Sequence, residues 1–367
     1  MNPAGTNVKL NPVPGTDASQ NRMIAMLLAG DIGGTKTLLG LFAPEADRPT
    51  PIEVGEFLTL DYDGLEPIVL EFLRARALEA RQLQAACFGV AGAITNQVAR
   101  LTNVPWLVDM ESVAQRIGLT RARLLNDLEA LAYAVPVLEA DELATLQHGV
   151  PVASGNAAVI AAGTGLGEAL LLNVDGGFVP GESEGGHADF AARTPRELQL
   201  VDRLTRVYGR VSVEHVVSGP GIVNLYQFTH GAFESGALND ARARPVRLCP
   251  AVDPAGDEAD LPARISESAA ARRCPRCIEA LDIFVSAYGA EAGNIALRTV
   301  ATAGVYVGGG IAPKILPMLE SGLFLEAFRA KEPMTDLLAT IPVSVILNDD
   351  AGLLGAAVHA QAMSVED

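Results

Sequence analysis

Hydrophobic and polar positions in this 367-residue chain fall into blocks, short apolar runs closed by glycine alternating with longer amphipathic stretches. Met26–Ala29 reads as a strand, Gly30-Asp31-Ile32-Gly33-Gly34-Thr35 as a glycine turn, and Lys36–Phe42 as the returning strand. Over Leu65–Leu83, Leu65, Ile68, Val69, Phe72, Leu73, Arg76 and Leu78 mark a stripe of roughly 3.6-residue period, which predicts a helix. Ala85–Val90 has the unbroken apolar character of a buried strand and is closed by Ala91-Gly92. Arg123–Leu125 predicts a short strand before Asn126-Asp127, and a helix follows from Leu128 to Val135, where Pro136 stops it. A second strand–turn–strand unit occupies Ala157–Val174 around Gly163-Thr164-Gly165-Leu166-Gly167. Ala271–Val300 predicts a helix, Gly304–Val307 a strand running into Gly308-Gly309-Gly310, and Leu347–Ala362 a turn followed by a helix. Strands alternating with helices indicate an α/β protein. Two segments stand outside this pattern. Residues 1–22 are polar and rich in Asn, Pro and Gly, which predicts a flexible tail through residue 21, and Met23 and Met26 offer alternative starts. His230–Ala263 is rich in Ala, Pro, Asp and Arg without periodicity, which predicts a loop or insertion.

Length suits about two domains, and a hydrophobic fraction of 49% supplies two cores. With 44 acidic against 27 basic residues the formal net charge is -17, a surface that repels phosphate backbones and disfavours a nucleic-acid partner. Local binding of one Mg-nucleotide is untouched by that argument, because backbone N–H groups and a cation can provide it. No apolar run approaches the ~20 residues that span a bilayer, so no membrane association is expected and the cytoplasm is the expected location. Four cysteines are too few for a disulfide framework.

The two glycine turns carry the functional inference. Neither has the Lys-Ser/Thr of a P-loop leading into a helix. The second is no dinucleotide fingerprint either, since Glu168 fills its sixth position and a strand follows. One glycine hairpin only reverses the chain. Two of them, one in each half, joined by a third glycine cluster after a late strand, form a specific set. Glycine lets the backbone approach a phosphate and aim several N–H groups at it, and Thr35 and Thr164 add hydroxyls. Asp31 stands where a carboxylate holds Mg²⁺ through water; its other reading is a turn-stabilising side chain.

These residues resemble the phosphate and adenosine motifs of the hexokinase, actin and heat-shock chaperone ATPase superfamily. Gly30, Asp31, Ile32, Gly33, Gly34 and Thr35 match the first phosphate motif, Gly163, Thr164 and Gly165 the second, and Gly308, Gly309 and Gly310 the adenosine motif. The blocks Asn126–Ala130, Pro180–Phe190 and Glu214–Gly221 narrow the resemblance to bacterial glucokinases, over nearly everything from Leu27 to Ala360. The resemblance implies a two-domain actin-like ATPase (ribonuclease H-like) α/β fold with an active-site cleft between domains. Residues 22–137 plus 348–367 would form the small domain and 138–347 the large one. It implies ATP-dependent phosphorylation of D-glucose to glucose 6-phosphate, the first step of glycolysis, by a homodimer using ATP and Mg²⁺. Asp127 would be the general base toward the sugar's 6-hydroxyl, with Asn126, Glu184, His187 and Glu214 holding the other hydroxyls. Without the family context, Asn126-Asp127 reads equally as a helix N-cap, His187 as a turn histidine and Glu214 as a surface acid. The chain departs from the glucokinase pattern at Lys36, where Asn is usual and which is more typical of ROK kinases, and at Glu182-Ser183, which lengthens the loop before Glu184.

Two alternatives remain in view: a ROK-type hexose kinase or sugar-sensing regulator, and a non-kinase actin-like ATPase. ROK proteins bear a cysteine-rich zinc motif near the sugar-site histidine, whereas here the close pair is Cys274-Pro275-Arg276-Cys277, far from His187 along the chain. Zinc wants four ligands and one C-x-x-C provides two. Cys249 adds a third only if the His230–Ala263 segment folds back, so the expectation is no zinc. A regulator's helix-turn-helix does not fit in the first 22 residues. A non-kinase ATPase leaves the constellation Asn126, Asp127, Glu184, His187 and Glu214 without a role.

Overall fold

The computed structural model describes residues 10–12, 26–101, 104–232, 249–252 and 260–365. They form two units, one running to Glu139 and resuming at Asn348, the other spanning Ala140–Leu347.

In the first unit the strands are β1 (Leu10–Pro12), β2 (Met26–Ile32), β3 (Lys36–Ala43), β4 (Thr50–Leu58) and β5 (Leu83–Val90). A small sheet of β6 (Ile94–Thr95), β7 (Val98–Arg100) and β8 (Leu107–Asp109) comes next, and β9 (Ala122–Asn126) returns to the main sheet. The main order is β1-β4-β3-β2-β5-β9; β2, β5 and β9 run parallel, and β1, β4, β3 and β2 alternate in direction. β5 lies between β2 and β9 and is buried along nearly all its length, which is why it reads as a continuous apolar run. The helices are α1 (Leu65–Arg74), α2 (Met110–Ile117) and α3 (Asp127–Ala134).

Two expectations change here. The helix predicted over Leu65–Leu83 ends at Arg74. Ala77 adopts a left-handed φ of 52°, with its N–H donating to Arg74 O at 3.1 Å and Leu78 N–H to Leu73 O at 3.0 Å. That is a Schellman closure, usually announced by glycine and here built on alanine. Arg76 sits on the stripe without continuing the helix, its guanidinium 3.7 Å from the Phe72 ring centre and 2.7 Å from Glu53. The second change is in the segment predicted as a flexible tail. Leu10–Pro12 pairs antiparallel with β4, an edge position where proline's missing N–H does no harm. The rest of that tail lies outside the described residues.

The second unit contains β10 (Leu143–Gln147), β11 (Ala157–Ala162), β12 (Leu166–Val174), β13 (Gly177–Ser183), β14 (Gly304–Gly308) and β15 (Val343–Ile346), in the order β10-β15-β14-β11-β12-β13. Here β11, β14 and β15 are parallel, and β11, β12 and β13 alternate. Its helices are α4 (Pro195–Tyr208), α5 (Gly219–Thr229), α6 (Leu261–Ala270), α7 (Pro275–Thr299), α8 (Leu316–Leu319), α9 (Leu323–Arg329) and α10 (Thr335–Thr340). The long helix predicted from Ala271 begins instead at Pro275, because Arg272 takes a left-handed φ of 54° and separates α6 from α7. The segment predicted as a loop through Ala263 holds the start of α6 and a turn at Cys249–Val252; its other residues from 233 onward lie outside the described ones. The chain then returns to the first unit as α11 (Ala351–Val365), packed against β2, β5 and α3 through Leu353, Ala356, Ala357 and Ala360.

Candidate active site

The first unit's site residues gather at the carboxyl ends of its parallel strands. Gly33, Gly34 and Thr35 close the β2–β3 hairpin, with Gly33 N–H donating to Lys36 O at 3.0 Å. Buried Thr59 braces the turn. Its hydroxyl donates to Gly33 O at 2.8 Å, and its N–H donates to Thr35 O at 3.1 Å. Asp31 is the one charged residue in β2, and burial followed by the charges of Asp127 and Asp350 pushes its carboxyl up to about 6, with Lys36 opposing. The start of α11 runs beside it, since a Cβ on Gly352 would lie 3.3 Å from Asp31 Oδ2. Burial also raises Asp350, Lys36 opposing and Asp349 and Glu56 adding to the rise.

Asn126 ends β9 and is the N-cap of α3. Its Oδ1 accepts from Leu128 N–H at 2.9 Å, and its amide donates to Gly92 O at 3.3 Å. The capping reading of this residue therefore holds, and the cap fixes Asp127 as the first helical residue. Asp31 thus feels carboxylates from two other stretches of chain, Asp127 and Asp350, an arrangement that a divalent cation with oxygen preference relieves. The donor set fits Mg²⁺.

In the second unit, the turn Gly163-Thr164-Gly165 is closed by Gly163 N–H donating to Gly165 O at 2.8 Å. Glu214 reaches it directly: Oε2 accepts from Leu166 N–H at 2.9 Å, and a Cβ on Gly165 would lie only 2.6 Å from that oxygen. Glycine at 165 is what lets the carboxylate approach. His187 lies between two acids, Nδ1 3.8 Å from Glu214 Oε1 and Nε2 3.9 Å from Glu184 Oε2. Those gaps are too long for direct hydrogen bonds, and the side chains of Glu184 and His187 are exposed, so each can take up a hydroxyl. Backbone bonds hold the group together, His187 N–H to Glu184 O at 3.0 Å and Glu214 N–H to Gly186 O at 2.9 Å. Ser218 caps α5, its hydroxyl accepting from Gly221 N–H and donating to Glu214 O at 2.7 Å, while Gly219 N–H donates to Gly163 O at 2.8 Å. The Glu214–Gly221 block is therefore a bracket between the histidine loop and the glycine turn.

The third glycine cluster joins the same place. β14 pairs with β11 so that Gly308 faces Ala161, and Gly309 takes a φ of +82° against the Ala162 carbonyl. The buried Tyr288 hydroxyl, 3.2 Å from both Ile160 O and Gly308 O, also accepts from Ala162 N–H at 3.1 Å and ties the two strand ends together.

Two residues escaped the sequence reading. Asp350 fell inside the turn read ahead of the last helix, and nothing local announced its influence on Asp31. Glu168, noted only for failing a dinucleotide pattern, is buried beneath the histidine loop, where Gly185 leaves it room. Burial and the neighbouring Glu291 push its carboxyl up to about 7, against the pull of Arg298 3.7 Å away. An acid inside an otherwise apolar strand was the available signal.

Compared with known proteins, residues 28–363 match the sequence model of the family described as Glucokinase. The glucokinase of Nostoc sp. (strain PCC 7120 / SAG 25.82 / UTEX 2576) is 41% identical over 344 residues, covering 92% of this chain and 99% of its own length. That of Yersinia pestis (strain Pestoides F) is 34% identical over 337 residues, with 92% and 97% covered. Among solved structures, a glucokinase from an Antarctic psychrotroph superposes with a TM-score of 0.77 at 28% identity, covering 92% of this chain and 99% of that one. The ROK family glucokinase of Streptomyces griseus, solved with glucose and AMPPNP, shares the fold at a TM-score of 0.59 and 21% identity, with 92% and 100% covered. Among the described residues no helix is long and apolar enough to cross a membrane. The chain belongs to the glucokinase family and is a sugar kinase of the actin-like ATPase fold.

Proposed function

We propose that the chain transfers the γ-phosphoryl group of ATP to the 6-hydroxyl of D-glucose, in line, with Asp127 as general base. The observation that carries this reading is the grouping of Glu184, His187 and Glu214 with Glu214 bonded to the second glycine turn. A pyranose offers hydroxyls that are each donor and acceptor, and two carboxylates flanking an imidazole suit them. Asn126 would hold a further hydroxyl through whatever capacity its cap leaves free. Once a bound sugar shields these groups from water, each one left without a hydroxyl partner costs about 1–3 kcal/mol, the source of selectivity among hexoses. The backbone N–H groups of Gly30–Thr35, Gly163–Gly165 and Gly308–Gly310 would cradle the nucleotide.

A sugar hydroxyl is a poor nucleophile at neutral pH. Asp127 takes its proton as the phosphoryl group arrives and keeps the oxygen directed at phosphorus. Asp31 would hold Mg²⁺ through water, with Asp350 beside it; the ion supplies charge neutralisation on the transferring group when bound. The remaining acceleration comes from positioning. A homodimer in the cytoplasm, acting on glucose and MgATP without nucleic acid or membrane, completes the proposal. A panel of sugars against ATP, ADP and polyphosphate tests it: glucose with ATP should be the preferred pair. Turnover with ADP or polyphosphate and none with ATP would overturn the donor assignment.

A further inference from the structure

Away from the groups that would act on sugar and nucleotide, the second unit brings together four side chains of one chemical character. His230, Cys249, Cys274 and Cys277 have ligand atoms that all lie within 4.8 Å of one another. They come from three stretches of chain: His230 directly follows α5, Cys249 opens the turn to Val252, and Cys274 and Cys277 lie at the N-terminus of α7. The sequence placed only the C-x-x-C pair together and counted two ligands. The third arrives because the turn at Cys249 does fold back, with Val252 buried in the unit's core, and the fourth because α5 ends beside α7.

From this geometry we propose that His230, Cys249, Cys274 and Cys277 form a structural zinc site. Zn–S bonds of about 2.3 Å in a tetrahedron place the ligand atoms about 3.8 Å apart, so the observed cluster needs only a small contraction around the ion. The histidine is prepared for it. Nδ1 lies 2.8 Å from Tyr226 O, an atom that can only accept, so Nδ1 carries the proton. The lone pair of Nε2 then faces Cys274 Sγ at 3.5 Å. A carbonyl fixing the tautomer and aim of a ligating imidazole is a recurrent support of zinc sites. Three thiolates and a neutral imidazole leave one net negative charge, and the N-terminus of the 25-residue helix α7 favours it. Sulfur-rich tetrahedral sites select zinc among the abundant divalent ions. With four protein ligands no position is open to substrate, so the role is to join elements. The site pins the end of α5, whose beginning carries the Ser218 bracket against the glycine turn.

The test begins with the wild-type protein, purified untagged under reducing conditions without chelator. It should contain about one zinc per chain, released by a mercurial thiol reagent, and cobalt added to the stripped protein should give the thiolate charge-transfer band of a tetrahedral site. Removing the metal should lower Tm, and adding zinc should restore it. Cys249→Ser and His230→Asn should each lower zinc content, whereas Cys87→Ala, in the other unit, should not. Zinc-free protein whose stripped form takes up neither zinc nor cobalt overturns the proposal, as does a Cys274–Cys277 disulfide in the purified enzyme. Full zinc occupancy in both the Cys249→Ser and His230→Asn variants would do the same. The wild-type measurements decide the matter even if a variant does not fold.

Discussion

The hairpins β2–β3 and β11–β12 hold the same place in two sheets of matching order, β4-β3-β2-β5-β9 and β13-β12-β11-β14-β15. Each follows a buried first strand, reverses through a glycine turn and pairs antiparallel with its return strand. They differ in what surrounds the turn. Two residues before Gly33 stands Asp31, backed by Asp127 and Asp350, while two residues before Gly163 stands Ala161 in a wholly buried run. The second turn takes its acid from outside the hairpin, from Glu214, at a point where glycine leaves space. One backbone device thus serves two electrostatic settings, an acidic pocket that favours a cation and a carboxylate–imidazole row that favours hydroxyls.

The largest expected effect comes from removing the proposed base from the first setting. Asp127→Asn keeps the size and much of the hydrogen bonding, and kcat should fall by roughly 10²–10⁴. Glucose affinity measured at equilibrium should change far less. A drop in kcat below tenfold would move the base elsewhere, and an affinity loss matching the kcat loss would make Asp127 a binding residue.

Asp31→Ala makes the first hairpin resemble the second. The apparent affinity for Mg²⁺ should weaken about 10–100-fold, with a smaller change for glucose. In the wild type, protons compete with the cation. Because burial and two neighbouring acids raise Asp31 to about 6, the Mg²⁺ requirement should rise as pH falls below that value and flatten above it. Equal Mg²⁺ titrations for Asp31→Ala and wild type would remove Asp31 from the cation site.

On the second hairpin, Glu214→Gln retains an oxygen to accept from Leu166 N–H, so the turn should persist. What is lost is the negative charge on the acceptor proposed for a sugar hydroxyl. The glucose KM should rise by about 5–150-fold, corresponding to 1–3 kcal/mol, with the ATP KM near its original value. A parallel rise in both constants would show that Glu214 acts through the turn.

The legibility of these features in the sequence follows from the range of the interactions. The hairpins were readable because glycine at a turn and apolar runs on either side are local signals, and Asn126 was readable as a cap for the same reason. The end of α1 was not, because Ala77 takes the left-handed position that glycine normally marks. Asp350 and the His230–Cys249 pairing with the C-x-x-C pair depend on where distant segments return, which no local pattern encodes. Glycine at 165 shows the intermediate case. Its presence was visible, but the reason for it, a carboxylate arriving from 49 positions later, was not.

The smallest expected effect concerns stability beneath the histidine loop. Glu168 is held near 7 by burial and by Glu291, well above the ~4.5 of an unfolded glutamate. Between those values the folded state binds a proton that the unfolded state has released, so folding is favoured there by protonation. This contribution is complete below about 4.5 and is lost as pH rises through about 7. Above 7 the native protein carries a buried carboxylate whose Oε1 has no hydrogen-bond partner, set against an ion pair with Arg298 that is half-open to solvent. Glu168→Gln keeps the shape and never ionises. The variant's Tm should match the wild type near pH 5 and exceed it near pH 8 by about 2–4 °C, the shift that 1 kcal/mol produces in a domain of this size. Other groups supply the rest of the pH dependence, so the informative quantity is the difference between the two curves. A difference that does not grow between pH 5 and 8 would mean that Glu168 stays ionised, with Arg298 outweighing burial.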